Sequence, residues 1–157
     1  MKIKIICFGK IKDANLKVLI NEYLQKLNFF YKTEIVELSE EKIVNENNLG
    51  EIETCLKKES FKLIPFIENG FNILLDINSK QLDSIGFAKL INEKINYSKN
   101  INFFVGSSYG IDSTIKEKFD YRISFSNLTF NHQIFRLILL EQIYRAFTII
   151  KNIKYHK

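Results

Sequence analysis

The stretch that decides the fold runs Ile101-Asn102-Phe103-Phe104-Val105 and continues into Gly106-Ser107-Ser108-Tyr109-Gly110. An apolar strand that leads into a glycine-containing turn is how α/β proteins build ligand crevices at the carboxyl ends of their strands. A second apolar run ends in Ser124-Phe125-Ser126-Asn127-Leu128-Thr129-Phe130, which offers another set of backbone donors and acceptors. We therefore expect the functional site to lie on these two segments.

Strands and helices alternate along the rest of the chain. The expected strands are Ile3–Phe8, Thr33–Leu38, Phe71–Leu75 (behind Asn69-Gly70), Ile101–Val105 and Tyr121–Phe125. Helical periodicity covers 16–27, 49–63, 82–95 and 134–150, and Asp13 and Asp112 are candidate helix caps. Pro65 should end or kink the second helix. This alternation predicts an α/β fold, a mostly parallel sheet with helices on both faces.

Length and composition indicate a single domain over residues 1–157. The apolar fraction of 46% and the charged fraction of 26% are ordinary for a globular protein. Met1–Lys17 lacks the long apolar run of a signal peptide, and no run reaches the length of a membrane span. Cys7 and Cys55 are far apart in the sequence and lack the spacing of metal ligands, so we expect both to be reduced thiols. We expect a cytoplasmic protein without a membrane segment.

The net charge of +5 is unevenly distributed. Residues 1–17 carry five lysines against Asp13, and residues 132–157 carry five lysines and arginines against Glu141. Residues 34–59 are the reverse, with eight glutamates against three lysines. Basic chain ends favour a polyanionic partner such as a nucleic acid, although solvated lysines on a lysine-rich protein give the same pattern.

The last helix pattern, from Ile134 to Ile150, is apolar at nearly every angle around its axis. Such a helix must be covered on all sides, and a sheet covers only one. We therefore expect a homodimer. Arg136 and Arg145 are about half a turn out of phase and cannot serve one site from the same straight helix. Across a two-fold axis, one arginine could instead complete the neighbour's site.

The Gly106 turn matches neither the Walker loop nor the dinucleotide-binding fingerprint. By itself it is typical of a strand-to-helix turn that needs close packing or a positive φ. The only histidines are His132 and His156, so no metal site is expected. For His132 the sequence favours a residue at the start of a helix that satisfies local backbone groups.

Three features together resemble a known family: the Gly106–Gly110 turn, Asn131-His132 before a helix carrying Tyr144-Arg145-Ala146, and the Tyr155-His156-Lys157 end. The chain resembles the RlmH family of SPOUT-superfamily methyltransferases, which act on 23S rRNA. Ser107 stands where the family usually has a second glycine, and Asn131 where it usually has proline. The resemblance implies a trefoil knot near the carboxyl end, whereas the pattern alone predicts an open, unknotted sheet.

The resemblance also implies the chemistry. The family binds S-adenosylmethionine mainly through main-chain groups of three loops. The matching positions are Leu75, Gly106, and the run Phe125, Ser126, Asn127, Leu128, Thr129 and Phe130. The implied reaction is methylation of N3 of a pseudouridine in large-subunit (23S) rRNA, on the assembled ribosome and by a homodimer.

On the acceptor side, the resemblance points to Arg145, Tyr155 and His156. His156 would act as base, Tyr155 would orient the acceptor, and Arg145 would contact a phosphate or the imide anion. Salt bridging to Glu141 is the alternative for Arg145, and a disordered tail the alternative for Tyr155-His156. We expect these last residues to matter to methyl transfer and little to folding.

Two other function classes stay open at this point. One is a non-enzymatic RNA- or ribosome-binding factor on an α/β scaffold, which would need no cofactor. The other is a flavodoxin-like nucleotide-binding protein. The latter would need phosphate-binding hydroxyl groups after the first strand, and Gly9-Lys10-Ile11-Lys12 has none.

Overall fold

A parallel sheet forms the centre of the protein in a computed structural model that describes residues 1–67, 70–98 and 100–156. Within those residues the strands are β1 (Lys2–Phe8), β2 (Lys32–Leu38), β3 (Phe71–Leu75), β4 (Asn100–Val105) and β5 (Tyr121–Ile123). The helices are α1 (Ala14–Asn28), α2 (Leu49–Ile67), α3 (Ser84–Tyr97) and α4 (His132–Ile150), with a 3-10 helix at Ser113–Lys118. The strand order is β2-β1-β4-β3-β5, and every adjacent pair is parallel.

Helices cover both faces of the sheet, which confirms the predicted fold class. In β1, an interior strand, Ile3, Ile5 and Cys7 join a core formed with α1, α3 and α4. Ile6 and Phe8, at the alternate positions, join a second core with α2 and the 3-10 helix. Side chains on both faces are therefore fully buried, at about 1.5–3 kcal/mol for each large apolar group. The strand ends that carry the functional loops are held rigidly.

Aspartates begin three of these helices. The side chain of Asp13 accepts a hydrogen bond from Leu16 N at 2.8 Å, and Asp112 accepts one from Thr114 N at 2.8 Å, as predicted. Asp83 caps α3 in the same way, through Gly86 N at 2.6 Å. Pro65 does not end α2, which runs on to Ile67.

Several predicted boundaries differ from the structure by a few residues, and two of them need comment. The strand predicted at Tyr121–Phe125 ends at Ile123, so Ser124 and Phe125 belong to the loop that follows. The predicted third helix starts two residues later, at Ser84, because Asp83 caps it. Asn69 of the predicted Asn69-Gly70 turn lies outside the described residues, as does Lys157 of the predicted domain 1–157.

The last helix, α4, packs on the sheet between α1 and α3. The two flanks of α4 are therefore covered by α1 and α3 of the same chain. This cover accounts for much of the apolar pattern from which the sequence analysis inferred a second subunit. A stripe of residues that are not fully buried runs along α4: Ile134, Ile138, Glu141 and Arg145, at i, i+4, i+7 and i+11. Ile134 is the most exposed of the four, at 50%. We call these four residues the α4 stripe.

The trefoil knot remains a prediction that the resemblance implies. Among the described residues, no helix is long and apolar enough to cross a membrane.

Candidate active site

A cleft of about 720 Å³ opens at the carboxyl ends of β3, β4 and β5. Its walls are the residues that follow those strands: 74–78 after β3, 105–111 after β4, and most of 123–132 after β5. Parallel strands place their carboxyl ends at the same edge, and α/β proteins bind ligands there. The volume lies in the range of small-molecule and cofactor sites.

The Gly106 turn forms one wall and packs against itself. Gly110 N donates to Ser107 O at 2.9 Å, and Gly110 has a φ of +89°, which favours glycine. A Cβ on Gly106 would lie 2.7 Å from the carbonyl carbon and oxygen of Gly110. Gly106 is thus required for the close approach of two backbone segments, and a side chain there would displace the turn itself.

Serine at position 107, where the family usually has glycine, does not strain the backbone of the turn. Among the described non-glycine residues, only Asn152 has a positive φ, so Ser107 has a backbone that any residue adopts. The buried carboxylate of Glu59 hydrogen-bonds the Ser107 side chain and accepts from Glu41 N at 2.9 Å. Burial raises the pKa of Glu59, and these hydrogen bonds partly offset that effect.

The loop after β5 forms the opposite wall and is held by its own hydroxyl groups. Ser124 Oγ donates to Ser126 O at 2.9 Å, and Leu128 N donates to Ser126 Oγ at 2.9 Å. Seven of the eight predicted cofactor-binding residues line the cleft: Leu75, Gly106, Phe125, Ser126, Leu128, Thr129 and Phe130. The side chain of the eighth, Asn127, instead accepts from Gln81 Nε2 at 2.8 Å, which ties the loop to the segment after β3.

Charged side chains also line the cleft, and no sequence pattern indicated them. Lys116 Nζ lies 3.0 Å from Asp76 Oδ2, and both residues belong to the cleft wall. This ion pair neutralises the lysine, so the cleft is not strongly cationic.

His132 also lines the cleft and begins α4, as the sequence predicts, but the predicted contact with local backbone groups is wrong. Its side chain contacts distant groups rather than local backbone: Nδ1 lies 3.4 Å from Ser108 Oγ, and Nε2 lies 3.7 Å from Glu40 Oε1. Asn131 caps the helix in its place, because Asn131 Oδ1 accepts from Gln133 N at 2.9 Å. Asparagine is a strong N-cap residue, which explains how α4 begins without the family's usual proline.

A second group of functional candidates surrounds the other end of α4. Arg145 Nη2 donates to Glu141 Oε1 at 2.6 Å, and Tyr155 Oη donates to the same oxygen at 3.1 Å. His156 Nδ1 lies 3.5 Å from Arg145 Nη1, and the Tyr23 hydroxyl lies 3.4 Å from the Tyr155 hydroxyl. We call these residues, Tyr23, Glu141, Arg145, Tyr155 and His156, the arginine cluster. All three predicted acceptor-side residues belong to it.

The arginine cluster holds a charged guanidinium next to a neutral phenol. The hydrogen bond to Glu141 raises the pKa of Arg145, so the guanidinium keeps its charge. The hydrogen bond with Tyr23, together with burial and Glu141, raises the pKa of Tyr155 well above that of a free phenol. Tyr155 therefore remains a hydrogen-bond donor at physiological pH.

Stacking orders the residues that follow α4. The guanidinium carbon of Arg145 lies 4.9 Å from the centroid of the Tyr155 ring, and the Tyr144 and Tyr155 ring centroids are 5.0 Å apart. Tyr155 is half-buried. Tyr155 is thus packed against α4, whereas residues 151–154 and 156 are exposed.

Arg136 does not belong to either group. It is fully buried, its Nη1 lies 3.1 Å from Glu37 Oε1, and its Nη2 donates to Phe8 O. It joins α4 to the ends of β1 and β2, so it is not the arginine that could complete a neighbour's site. A buried, paired arginine of this kind is structural.

A single chain does not bring the cleft and the arginine cluster together. α4 begins at the cleft with His132, and Arg145 lies thirteen residues further on, about 20 Å along the helix axis at 1.5 Å per residue. Within the described residues, no group of three or more His, Cys, Asp or Glu side chains is placed to hold a metal ion.

Comparison with known proteins assigns the class. A family model described as a predicted SPOUT methyltransferase matches residues 1–156. A Malacoplasma penetrans protein named ribosomal RNA large subunit methyltransferase H is 68% identical over 100% of both chains. A Caldicellulosiruptor saccharolyticus protein of the same name is 44% identical over 99% of both. The chain therefore belongs to the SPOUT methyltransferases, in the family of the large subunit methyltransferases H.

A solved structure shows the same fold at low sequence identity. A probable methylase family protein from Haemophilus influenzae Rd KW20 is similar with a TM-score of 0.60 and 14% identity, over 99% of this chain and 70% of that one. The family resemblance deduced from the sequence is thus confirmed, together with its α/β fold class.

Proposed function

We propose that the protein transfers a methyl group from S-adenosylmethionine to N3 of a pseudouridine in 23S rRNA. Family membership and the names of the close relatives support a methyltransferase that acts on large-subunit rRNA. The observation that carries the proposal is the cleft at the carboxyl edge of the sheet, which contains seven of the eight positions that the family resemblance assigns to the cofactor.

The residues of the cleft fit S-adenosylmethionine. Phe125, Leu128 and Phe130 offer an apolar slot, and the backbone of the loop offers amide partners for a purine. The Asp76 carboxylate can accept hydrogen bonds from ribose hydroxyls or face the amino group, and its pairing with Lys116 removes an unpaired cation from the sulfonium's surroundings. When bound, the cofactor supplies an activated methyl group, so the protein has to position the acceptor and manage one proton.

The arginine cluster suits the acceptor. The imide N–H of the base is weakly acidic, and its deprotonation leaves an anion next to which the Arg145 guanidinium is stabilising. Tyr155 stays protonated and donates its hydrogen bond to Glu141, so it would orient the acceptor base through its ring, which lies beside Arg145. His156 is exposed beside Arg145 and is the candidate to take the proton. Glu141 holds Arg145 and Tyr155 in one orientation.

A homodimer joins the two halves of this chemistry. Two α4 stripes packed antiparallel about a two-fold axis near Ile138, which is midway between His132 and Arg145, would bring the partner's Arg145 to the cleft. The exposed, apolar Ile134 and the partly exposed Ile138 give such a contact its driving force. Each active site would then combine the cleft of one protomer with the arginine cluster of the other.

The expected substrate is the ribosome, in the cytoplasm. The net charge of +5 and the basic chain ends favour a nucleic-acid partner. With its single domain, the chain would recognise the shape of a large ribonucleoprotein through its dimer rather than through a separate RNA-binding module.

The proposal is tested with purified ribosomes that lack the modification. Calorimetry should show that the protein binds S-adenosylmethionine, and single-turnover reactions should transfer its methyl group to one rRNA nucleotide. Mass spectrometry of nuclease digests then identifies the base. Ribosome binding without cofactor binding would instead assign the protein to the class of non-enzymatic binding factors.

A further inference from the structure

A second pocket lies outside the cleft, at the ends of α1 and α4. It has a volume of about 360 Å³ and is lined by Phe29, Phe30, Tyr31, Lys151 and Ile153. We call it the aromatic pocket. Phe29 is 85% exposed and Ile153 is 45% exposed, so apolar surface remains open to solvent here. Neither the cleft nor the arginine cluster includes these residues.

The aromatic pocket is preformed by its attachment to the core. The Phe30 ring stacks on the fully buried Phe147 with centroids 5.4 Å apart, and the Tyr31 ring lies 5.2 Å from Phe147. Ile153 N donates to Thr148 O at 2.8 Å. With a left-handed Asn152 and its bond to Ile149 O, this is a Schellman motif that holds the chain after α4 in place.

The surroundings of the aromatic pocket are positively charged. Lys151 lines it, and Lys32 and Lys154 are exposed next to lining residues. Segments 26–33 and 146–156 contain no acidic residue. Exposed aromatic rings flanked by lysines are the combination with which proteins bind unpaired nucleotides, because the ring stacks on a base and the lysine contacts a phosphate.

The aromatic pocket is also continuous with the arginine cluster. Tyr155 contacts Tyr144 at 5.0 Å, and Tyr144 contacts Phe30 at 6.1 Å between ring centroids. A nucleotide in the pocket would therefore belong to the strand that presents the target base to Arg145.

We propose that the aromatic pocket binds an unpaired rRNA nucleotide that flanks the target, with its base stacked on Phe29 and a phosphate at Lys151. This inference rests on the proposed function, since it assumes an RNA substrate. It assigns to Phe29 and Lys151 a role in substrate affinity and not in the chemical step.

The first experiment measures affinity and catalysis separately. Phe29→Ala should raise KM for unmodified ribosomes, and weaken ribosome co-sedimentation without cofactor, by about 5- to 100-fold, the usual effect of losing one base stack. Values of kcat, cofactor affinity and dimer mass should stay unchanged, and Phe29→Trp should restore binding. Phe61→Ala is the matched control, because Phe61 is another exposed phenylalanine, 72% exposed on α2.

The second experiment identifies the occupant. A photo-crosslinking phenylalanine analogue at position 29 should crosslink to rRNA next to the methylated nucleotide. A crosslink to ribosomal protein or to a second copy of this chain would overturn the inference, as would wild-type KM and co-sedimentation for Phe29→Ala. Because co-sedimentation needs no methyl transfer, an inactive wild-type protein would refute the proposed function while Phe29-dependent binding could still be measured.

Discussion

The two ends of α4 differ in the groups that they present. At its first turn, the cleft is built from backbone loops, apolar side chains and one neutralised ion pair. At its last turns, the arginine cluster is built from charged and aromatic side chains joined by hydrogen bonds. Such a contrast separates a site that holds a cofactor by shape from a site that stabilises a developing charge. Substitutions in the arginine cluster should therefore lower the rate of methyl transfer, whereas substitutions in the cleft should lower the affinity for the cofactor.

The largest effect is expected at the arginine cluster. Arg145→Ala should lower the single-turnover rate by about 100-fold or more, because an anion loses its positioned cation. Calorimetry should show unchanged cofactor affinity, since Arg145 is assigned to the acceptor base and not to the cofactor. Arg122→Ala is the control: Arg122 is a more exposed arginine, paired with Glu117 at 3.3 Å. Loss of cofactor binding in Arg145→Ala would contradict the assignment of the cofactor to the cleft and of the acceptor to the arginine cluster.

A smaller effect, on binding rather than on chemistry, is expected at the cleft. A sequence argument alone predicts that Gly106→Val blocks the cofactor and leaves the fold intact. The structure adds that any side chain at 106 displaces Gly110. Gly106→Ala and Gly106→Val should weaken cofactor affinity about tenfold or more, since overpacking costs about 1–3 kcal/mol. The melting temperature should also fall. Gly50→Ala, with no atom closer than 3.5 Å, is the control.

Tyr155 should contribute to both activity and stability. Tyr155→Phe removes the hydroxyl that donates to Glu141, and we expect a loss of about tenfold in rate and about 1 kcal/mol in stability. Deleting residues 155–157 should cost about 1–3 kcal/mol, because ring stacking and a cation–π contact are lost as well. Denaturant unfolding measures both variants. Tyr97→Phe, at an exposed tyrosine, should be neutral.

The smallest effect is expected at Glu59, beneath the Gly106 turn. Its pKa is raised by burial, so its ionisation opposes folding. Stability should fall as the pH rises from about 4.5, the pKa of an unfolded glutamate, through the higher pKa of the folded state. Glu59→Gln should remove this dependence and change stability at neutral pH by about 1 kcal/mol or less. Glu53→Gln, at an exposed position of α2, should leave the pH profile unchanged. If Glu59→Gln had the same pH dependence of stability as the wild-type protein, the raised pKa of Glu59 would not be its cause.

The sequence was sufficient for features that depend on local chemistry. The caps at Asp13 and Asp112 and the parallel sheet follow from residue type and period. Contacts between distant segments could not be foreseen. Tyr23 contacts Tyr155, which is 132 positions further along the chain, and Arg136 of α4 pairs with Glu37 of β2. For the same reason, the sequence could not show that α1 and α3 cover the apolar flanks of α4.

The central claim is that each active site combines the cleft of one protomer with the arginine cluster of its partner. Gly106→Ala and Arg145→Ala are each first confirmed to be dimeric, then co-expressed with different tags and assayed as a mixture, at a cofactor concentration low enough that Gly106→Ala alone is nearly inactive. Random pairing makes half of the dimers mixed, and each mixed dimer has one intact composite site. The mixture should thus recover about one quarter of wild-type activity. A mixture as inactive as its components would contradict the account, because sites contained within single chains cannot be rescued by mixing.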